Sequence, residues 1–186
     1  MNLIQTKLSN ILVIEPKIFG DARGYFLETW NRARYLAAGF PKVEFVQDNL
    51  SHSRRGILRG LNFQKQHPQG KLVQVIRGAV FDVVVDVRKD SPSFGQWYGV
   101  ELSGENHRRF WIPPGFAHGF SVLSGEVDLY YKCTDFYRPA DEGGIIWNDP
   151  SIGIEWPIAD PVLSDKDTRH PRLAELRAED LPQVTT

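Results

Sequence analysis

Apolar and polar positions along this chain alternate mostly with a period of two, the pattern of strands that bury one face. The stretch KLVQVIRGAVFDVVVDVR, residues 71–88, shows it best. Val73 and Val75 share one parity and Leu72 and Ile76 the other, until Gly78 interrupts the run. Beyond it, Phe81, Val83, Val85 and Val87 alternate with Asp82, Val84, Asp86 and Arg88. Two strands joined at a tight glycine turn is the simplest reading. The segments QWYGVEL, RRFWI, HGFSVL and VDLYYKCT follow at short spacing, separated by the turn-rich DSPSFG, LSGENH, PPG and LSGE. Many short strands between Gly/Pro turns predict an all-β sandwich or jelly-roll barrel. Helix is scarce. NRARYLAAG is the best candidate, with Asn31 able to cap it and Gly39 able to end it. RLAELRAED, near the C-terminus, predicts a second short helix with a solvated charged face.

Composition narrows the class. The chain has 186 residues, without repeats, low-complexity segments or linkers, and reads as one domain over 1–186. Such a length can bury a core without covalent staples. Lys+Arg 22 against Asp+Glu 23 gives a net charge of -1, which argues against a nucleic-acid binder. One local basic pocket remains compatible with that balance. The single cysteine, Cys133, permits no intrachain disulfide and fits a reducing cytoplasm. It stands in an apolar run, as a core residue would. The N-terminal stretch lacks a basic region followed by a long apolar block, so it does not read as a signal peptide. No apolar run approaches the ~20 residues of a membrane helix.

Strand parity also raises candidate chemistry. His118 shares parity with Phe120 and Val122, and Tyr131 with Val127, Leu129 and Cys133. If those faces line the interior, an imidazole and a phenol project into apolar surroundings and need partners, either each other or a ligand. Metal is the first ligand to weigh in a barrel. The five histidines, His52, His67, His107, His118 and His170, are scattered, and none forms a His-x-His pair. The spacing therefore gives no metal-site signal, and neither a P-loop nor a dinucleotide fingerprint is present.

Six blocks then carry a more specific message: FGDARGYFLE (Phe19 to Glu28), FVQDNLSHS (Phe45 to Ser53), GILRGLNFQ (Gly56 to Gln64), QGKLVQVIRGAVFDVVVD, WIPPGFAHGF and LSDKD. In content and order they resemble the dTDP-4-dehydrorhamnose 3,5-epimerase family across nearly the whole chain. The resemblance implies a cupin-type jelly roll and a homodimer whose subunits exchange residues between sites. It implies an active site in the barrel that needs neither metal nor cofactor. The implied substrate is a dTDP-4-keto-6-deoxyhexose on the route to dTDP-L-rhamnose or a related deoxysugar.

The chemistry explains the residues. C3 and C5 flank the C4 ketone, so either can lose a proton to give an enolate. Inversion needs a base on one face, a cation or donor at the enolate oxygen, and an acid on the other face. Carried over by motif, Lys71 sits near the developing oxyanion and Tyr131 is the acid. Asp167 orients the base and stabilises its protonated form, as in other Asp–His pairs. Arg23, Arg59, His118 and Lys166 answer the diphosphate. Glu28, Gln47, Asn49 and Glu142 hydrogen-bond sugar, phosphate or thymine, and Phe26 and Tyr137 flank the thymine ring. The segment from Arg23 to Glu28 is implied to reach into the neighbouring subunit.

One position departs from the pattern. The family reads Arg-Gly-Leu-His where this chain reads Arg59-Gly60-Leu61-Asn62. An amide has similar reach to its first polar atom and can donate to Asp167, but lacks the ring nitrogen that takes the proton. Three explanations stand: Asn62 replaces a native histidine in an otherwise intact enzyme, the chain is a binding protein without turnover, or another base, such as His118, serves. A single-centre epimerase acting at C3 or C5 is the nearest enzyme alternative.

Overall fold

In the computed structural model, which describes residues 1–184, the alternating segments form two antiparallel sheets packed face to face. In chain order the strands are β1 (Asn2–Gln5), β2 (Leu12–Glu15), β3 (Ile18–Asp21), β4 (Gly24–Leu27), β5 (Gln47–Arg54), β6 (Leu58–Gln64) and β7 (Lys71–Arg77). They continue with β8 (Ala79–Asp86), β9 (Trp97–Ser103), β10 (Arg109–Ile112), β11 (Phe116–Val122), β12 (Glu126–Cys133) and β13 (Glu142–Gly144). One sheet runs β1-β2-β10-β7-β12-β5, the other β13-β6-β11-β8-β9, and β3-β4 is a separate hairpin. This is the expected all-β jelly-roll barrel.

The inner faces meet over Val13, Val73, Val75, Val80, Val84, Phe110, Phe120, Val122, Val127 and Leu129. The predicted parities of β11 and β12 thus face inward, with Tyr131 packed against this core. The outer face of the second sheet is also covered: Val83, Val85 and Val87 pack under Ile145, Ile152, Leu173 and Leu181 from the C-terminal segment. A strand buried on both faces reads as a continuous apolar run, which explains the valines of β8. On the first sheet, Leu72 and Trp111 pack outward against Tyr35 and Phe40.

The strands on either side of Gly78 both form and are joined at that glycine, as read, but they lie in different sheets and do not pair with each other. β7 bonds to β10 and β12, while β8 bonds to β9 and β11. The glycine turn carries the chain between sheets. Gly78 has φ +82, and a Cβ there would lie 2.1 Å from the Glu126 carbonyl oxygen. The charged C-terminal stretch gives two single 3-10 turns, Leu173–Glu175 and Ala178–Asp180, in place of a helix. Its apolar residues are too few to sustain an amphipathic face, and Leu173 is drawn into the sheet cover. The other helix, α1, spans Arg32–Ala37, and the Asn31 side chain accepts from the Arg34 N–H at 3.2 Å as a cap. Among the described residues no helix is long and apolar enough to cross a membrane.

Replacing Gly78 by alanine forces a positive φ on a residue with a Cβ and drives that Cβ into backbone. Gly78→Ala is expected to cost about 1–3 kcal/mol, read as a lower urea midpoint at unchanged slope. An unchanged midpoint would refute the crossing role of this turn.

Candidate active site

A cavity of about 400 Å³ opens between the sheets, and its wall carries polar side chains where the rest of the interior is apolar. Three strands bring the central groups together. β6 supplies Arg59 and Asn62, β7 begins with Lys71, and β12 carries Tyr131. β11 adds His118, directly across from Asn62 in the register. That pairing depends on two glycines. A Cβ on Gly60 would lie 2.6 Å from Gly119 Cα, and one on Gly119 would lie 2.6 Å from the Arg59 carbonyl oxygen. The close backbone approach coincides with a register shift between His118 and Phe120, a local irregularity that re-aims side chains.

Lys71 and Tyr131 converge on this one space. The Lys71 ammonium lies 5.9 Å from the Tyr131 ring centroid, and both residues line the cavity. Burial pushes the Lys71 pKa down, against the opposing pull of Cys133, Asp82 and Glu142. The side chain is half-buried at the cavity wall. Burial likewise raises the Tyr131 phenol, assisted by Cys133 and opposed by Arg59. A phenol that stays protonated at neutral pH is available as an acid. A desolvated ammonium interacts strongly with any negative oxygen brought beside it.

Asp167 lies behind Asn62, off the cavity surface and buried. Burial alone would raise its carboxyl. Hydrogen bonds from His170, Ser164, Asn62 and the Gly60 backbone outweigh it and hold the group below the usual carboxylate range. Asn62 Nδ2 donates to Asp167 Oδ1 at 3.2 Å. The orientation contact expected of a base–carboxylate pair is therefore present, with an amide as the donor.

The remaining predicted binding residues divide into two groups. Gln47, Asn49, Arg59, His118, Tyr137, Glu142 and Lys166 line the cavity. They are tied to one another at its rim: Lys166 Nζ to Glu142 Oε1 at 2.6 Å, Gln47 Nε2 to Asn49 Oδ1 at 2.9 Å, and the Tyr137 N–H to Gln47 Oε1 at 2.9 Å. Arg59 Nε donates to Ser53 Oγ at 3.0 Å. Arg23, Phe26 and Glu28 lie outside it. Phe26 is 70% exposed and the Arg23 side chain 90%, on the hairpin β3-β4 that projects from the sandwich. Glu28 instead accepts from Asn31 Nδ2 at 3.1 Å and Arg34 at 3.4 Å, holding the start of α1.

Two groups went unassigned in the sequence. Asp82 is fully buried on the inward parity of β8 and meets His118 Nε2 at 2.9 Å, with its other oxygen unpaired. A carboxylate inside a valine run, in phase with Val80 and Val84, was the available signal. His170 is the second: its Nε2 lies 2.8 Å from Asn62 Oδ1 and 3.6 Å from Asp167 Oδ1. A separation of 108 residues hides that contact from any local pattern. Among the described residues no group of three His, Cys, Asp or Glu side chains is arranged to hold a metal ion.

Known proteins supply a context for this geometry. The sequence model of the dTDP-4-dehydrorhamnose 3,5-epimerase family matches residues 5–175. A dTDP-4-dehydrorhamnose 3,5-epimerase of Shigella flexneri is 55% identical over 168 residues, covering 90% of this chain and 93% of that protein. One from Methanothermobacter thermautotrophicus is 53% identical over 92% of this chain and 94% of its own. The crystal structure of a dTDP-6-deoxy-D-glucose-3,5-epimerase from Legionella pneumophila, in complex with dTDP-4-keto-L-rhamnose, superposes with a TM-score of 0.94. It is 52% identical, and the match covers 100% of this chain and 99% of that one.

A lysine with a depressed pKa binds fewer protons in the folded state than in the unfolded one. Stability therefore rises with pH between the lowered native value and the ordinary lysine value. In Lys71→Met that part of the slope is expected to vanish. At neutral pH the variant should melt higher, by about 2–4 °C if roughly 1 kcal/mol of desolvation is relieved, while losing activity. Calorimetry across pH tests this, and a lower melting point would contradict it.

Proposed function

This chain belongs to the dTDP-4-dehydrorhamnose 3,5-epimerase family, and from that premise we propose how its own residues divide the reaction. The cavity takes a dTDP-4-keto-6-deoxyhexose with the sugar inward and the diphosphate toward Arg59, His118 and Lys166. Tyr137 and Glu142 stand at the mouth, beside the nucleotide. Lys71 holds the enolate oxygen that forms when C3 or C5 loses its proton, and Tyr131 returns a proton from the opposite face. Asp167 orients the group at position 62. The observation that carries this reading is the convergence of the Lys71 ammonium and the Tyr131 ring, 5.9 Å apart, on one cavity.

Position 62 sets the rate. A carboxamide nitrogen has no basic lone pair, so Asn62 cannot accept a proton from carbon near neutral pH. Binding relies on other groups and survives. The chain therefore acts as an epimerase scaffold that holds its substrate and turns it over slowly. A histidine introduced at position 62, alone or with replacement of the adjoining His170, is expected to raise deuterium uptake from solvent at C3 and C5. The range is about 10²–10⁴-fold, the usual contribution of a positioned base. No gain in either form would refute the assignment of position 62. Counting deuterium per sugar separates action at both carbons from action at one.

The exposed hairpin supports a homodimer. Phe26 and Arg23 lie outside this subunit's cavity, and Phe19 and Tyr25 are 51% and 59% exposed beside them. An aromatic arm so exposed is suited to covering a neighbour's site, where Phe26 flanks the thymine and Arg23 meets phosphate. The two sheets closed over one interior support a single domain, and one free buried thiol supports a cytoplasmic setting. Sedimentation is expected to give a dimer. Phe26→Ala should weaken dTDP binding by about 5- to 150-fold, the range of 1–3 kcal/mol for base–aromatic stacking. Unchanged affinity by calorimetric titration would remove the arm from the site.

A further inference from the structure

The Asn62 amide is held at both ends, and the two contacts determine each other. Asp167, held as a carboxylate, is acceptor-only, so the amide end beside it must be the nitrogen, as found at 3.2 Å. The amide oxygen then faces His170 Nε2 at 2.8 Å. A carbonyl oxygen only accepts, so Nε2 must carry a hydrogen. The opposite amide orientation would set a carbonyl oxygen against a carboxylate.

The setting of His170 is built rather than incidental. Its side chain is only 12% exposed and lies off the cavity wall, so it does not touch a sugar itself. Its ring packs on Gly144, where a Cβ would lie 2.4 Å from Nε2. Gly144 is also the register partner of Asn62 across β13 and β6. The imidazole thus fills a space that only a glycine on the neighbouring strand leaves open.

We propose that His170 is a positioning residue that, with Asp167, clamps the Asn62 carboxamide at both its oxygen and its nitrogen and so fixes its orientation at the cavity wall where a proton acceptor would stand. The two residues are one coupled unit. A histidine at position 62 needs the Asp167 oxygen for its own ring N–H, and His170 Nε2 already lies 3.6 Å from that oxygen. Two imidazoles then compete for one carboxylate in a space shaped for one ring and one amide. Asn62→His by itself falls short, and removing His170 releases the remainder. This rests on the reading of position 62 given under the proposed function.

The test compares the unmodified chain with Asn62→His, His170→Ala, His170→Gln and the two double variants. Titration with dTDP reports binding. Deuterium uptake into dTDP-4-keto-6-deoxyglucose gives kcat and KM. Each double variant is expected to exceed Asn62→His in kcat by at least about 10-fold, well beyond additivity, with dTDP affinity nearly constant. In the Asn62 background, His170→Ala should raise KM rather than lower kcat, because it loosens the amide at the cavity wall and removes no base. His170→Gln, which keeps an N–H donor, should retain the original KM. Double variants that bind dTDP but exchange no faster than Asn62→His overturn the coupling and leave the proposed function standing. Failure of the unmodified chain to bind dTDP overturns both.

Discussion

Two β-sheets closed face to face leave little water between them, and a polar group placed there must find a partner or meet the cost of going without one. That constraint shapes the interior. Valine, leucine and phenylalanine fill most of it, and the polar side chains gather at the cavity between β6, β7, β11 and β12. Nearly every member is held by another: His118 by Asp82, Glu142 by Lys166, Gln47 by Asn49, Asn62 by both Asp167 and His170. Networks of this kind keep side chains in fixed directions before a ligand arrives, which is what electrostatic stabilisation of a developing charge requires. Lys71 and Tyr131 line the open volume, and they are the two that the proposed proton chemistry addresses directly.

The same constraint explains how an amide sits where the chemistry wants an imidazole without disturbing the fold. Position 62 borders a buried carboxylate that needs donors. Asn supplies one, so the electrostatic demand of Asp167 is met whether or not a base is present. His170 adds a second donor nearby and fills the volume behind the amide. The structural role of this position, satisfying Asp167, is therefore separable from its chemical role, accepting a proton. Only the second is sensitive to exchanging the ring for an amide.

Much of the architecture was legible in the strand periodicity. The strands β7 to β12 stand where the apolar segments between turns placed them, and the parities of His118 and Tyr131 point inward as read. Pairing was not legible. Gly78 announces a turn, but whether a turn closes a hairpin or carries the chain to the opposite sheet depends on which strands lie beside it, and those are distant in sequence. The short strands β1, β2 and β13, of three or four residues, are too brief for a period to register. In the site, motif carried the reading to Asp167 and Lys71, residues that composition and parity leave anonymous. Asp82 was visible as a charge in an apolar phase. His170 was not, because its partner lies across the whole chain and its own neighbours form only a 3-10 turn.

What the cavity retains argues for what it does. A site kept only to bind a nucleotide needs cations for phosphate and a surface for the base, which in the proposed reading are Arg59, Lys166 and Tyr137 on the cavity wall. It has no use for a desolvated ammonium deeper in, since burying Lys71 without a carboxylate partner costs stability. Such a cost is consistent with a group poised for a negative charge that appears only during reaction, at an oxygen conjugated to the carbon losing its proton. Enolate stabilisation acts on that proton's acidity whichever base removes it. A cavity that keeps this device and lacks the strong base still favours exchange over the uncatalysed reaction, at the pace of a weaker acceptor such as water. On the proposed roles, the amide at position 62 slows one step and leaves the electrostatic half of the mechanism in place.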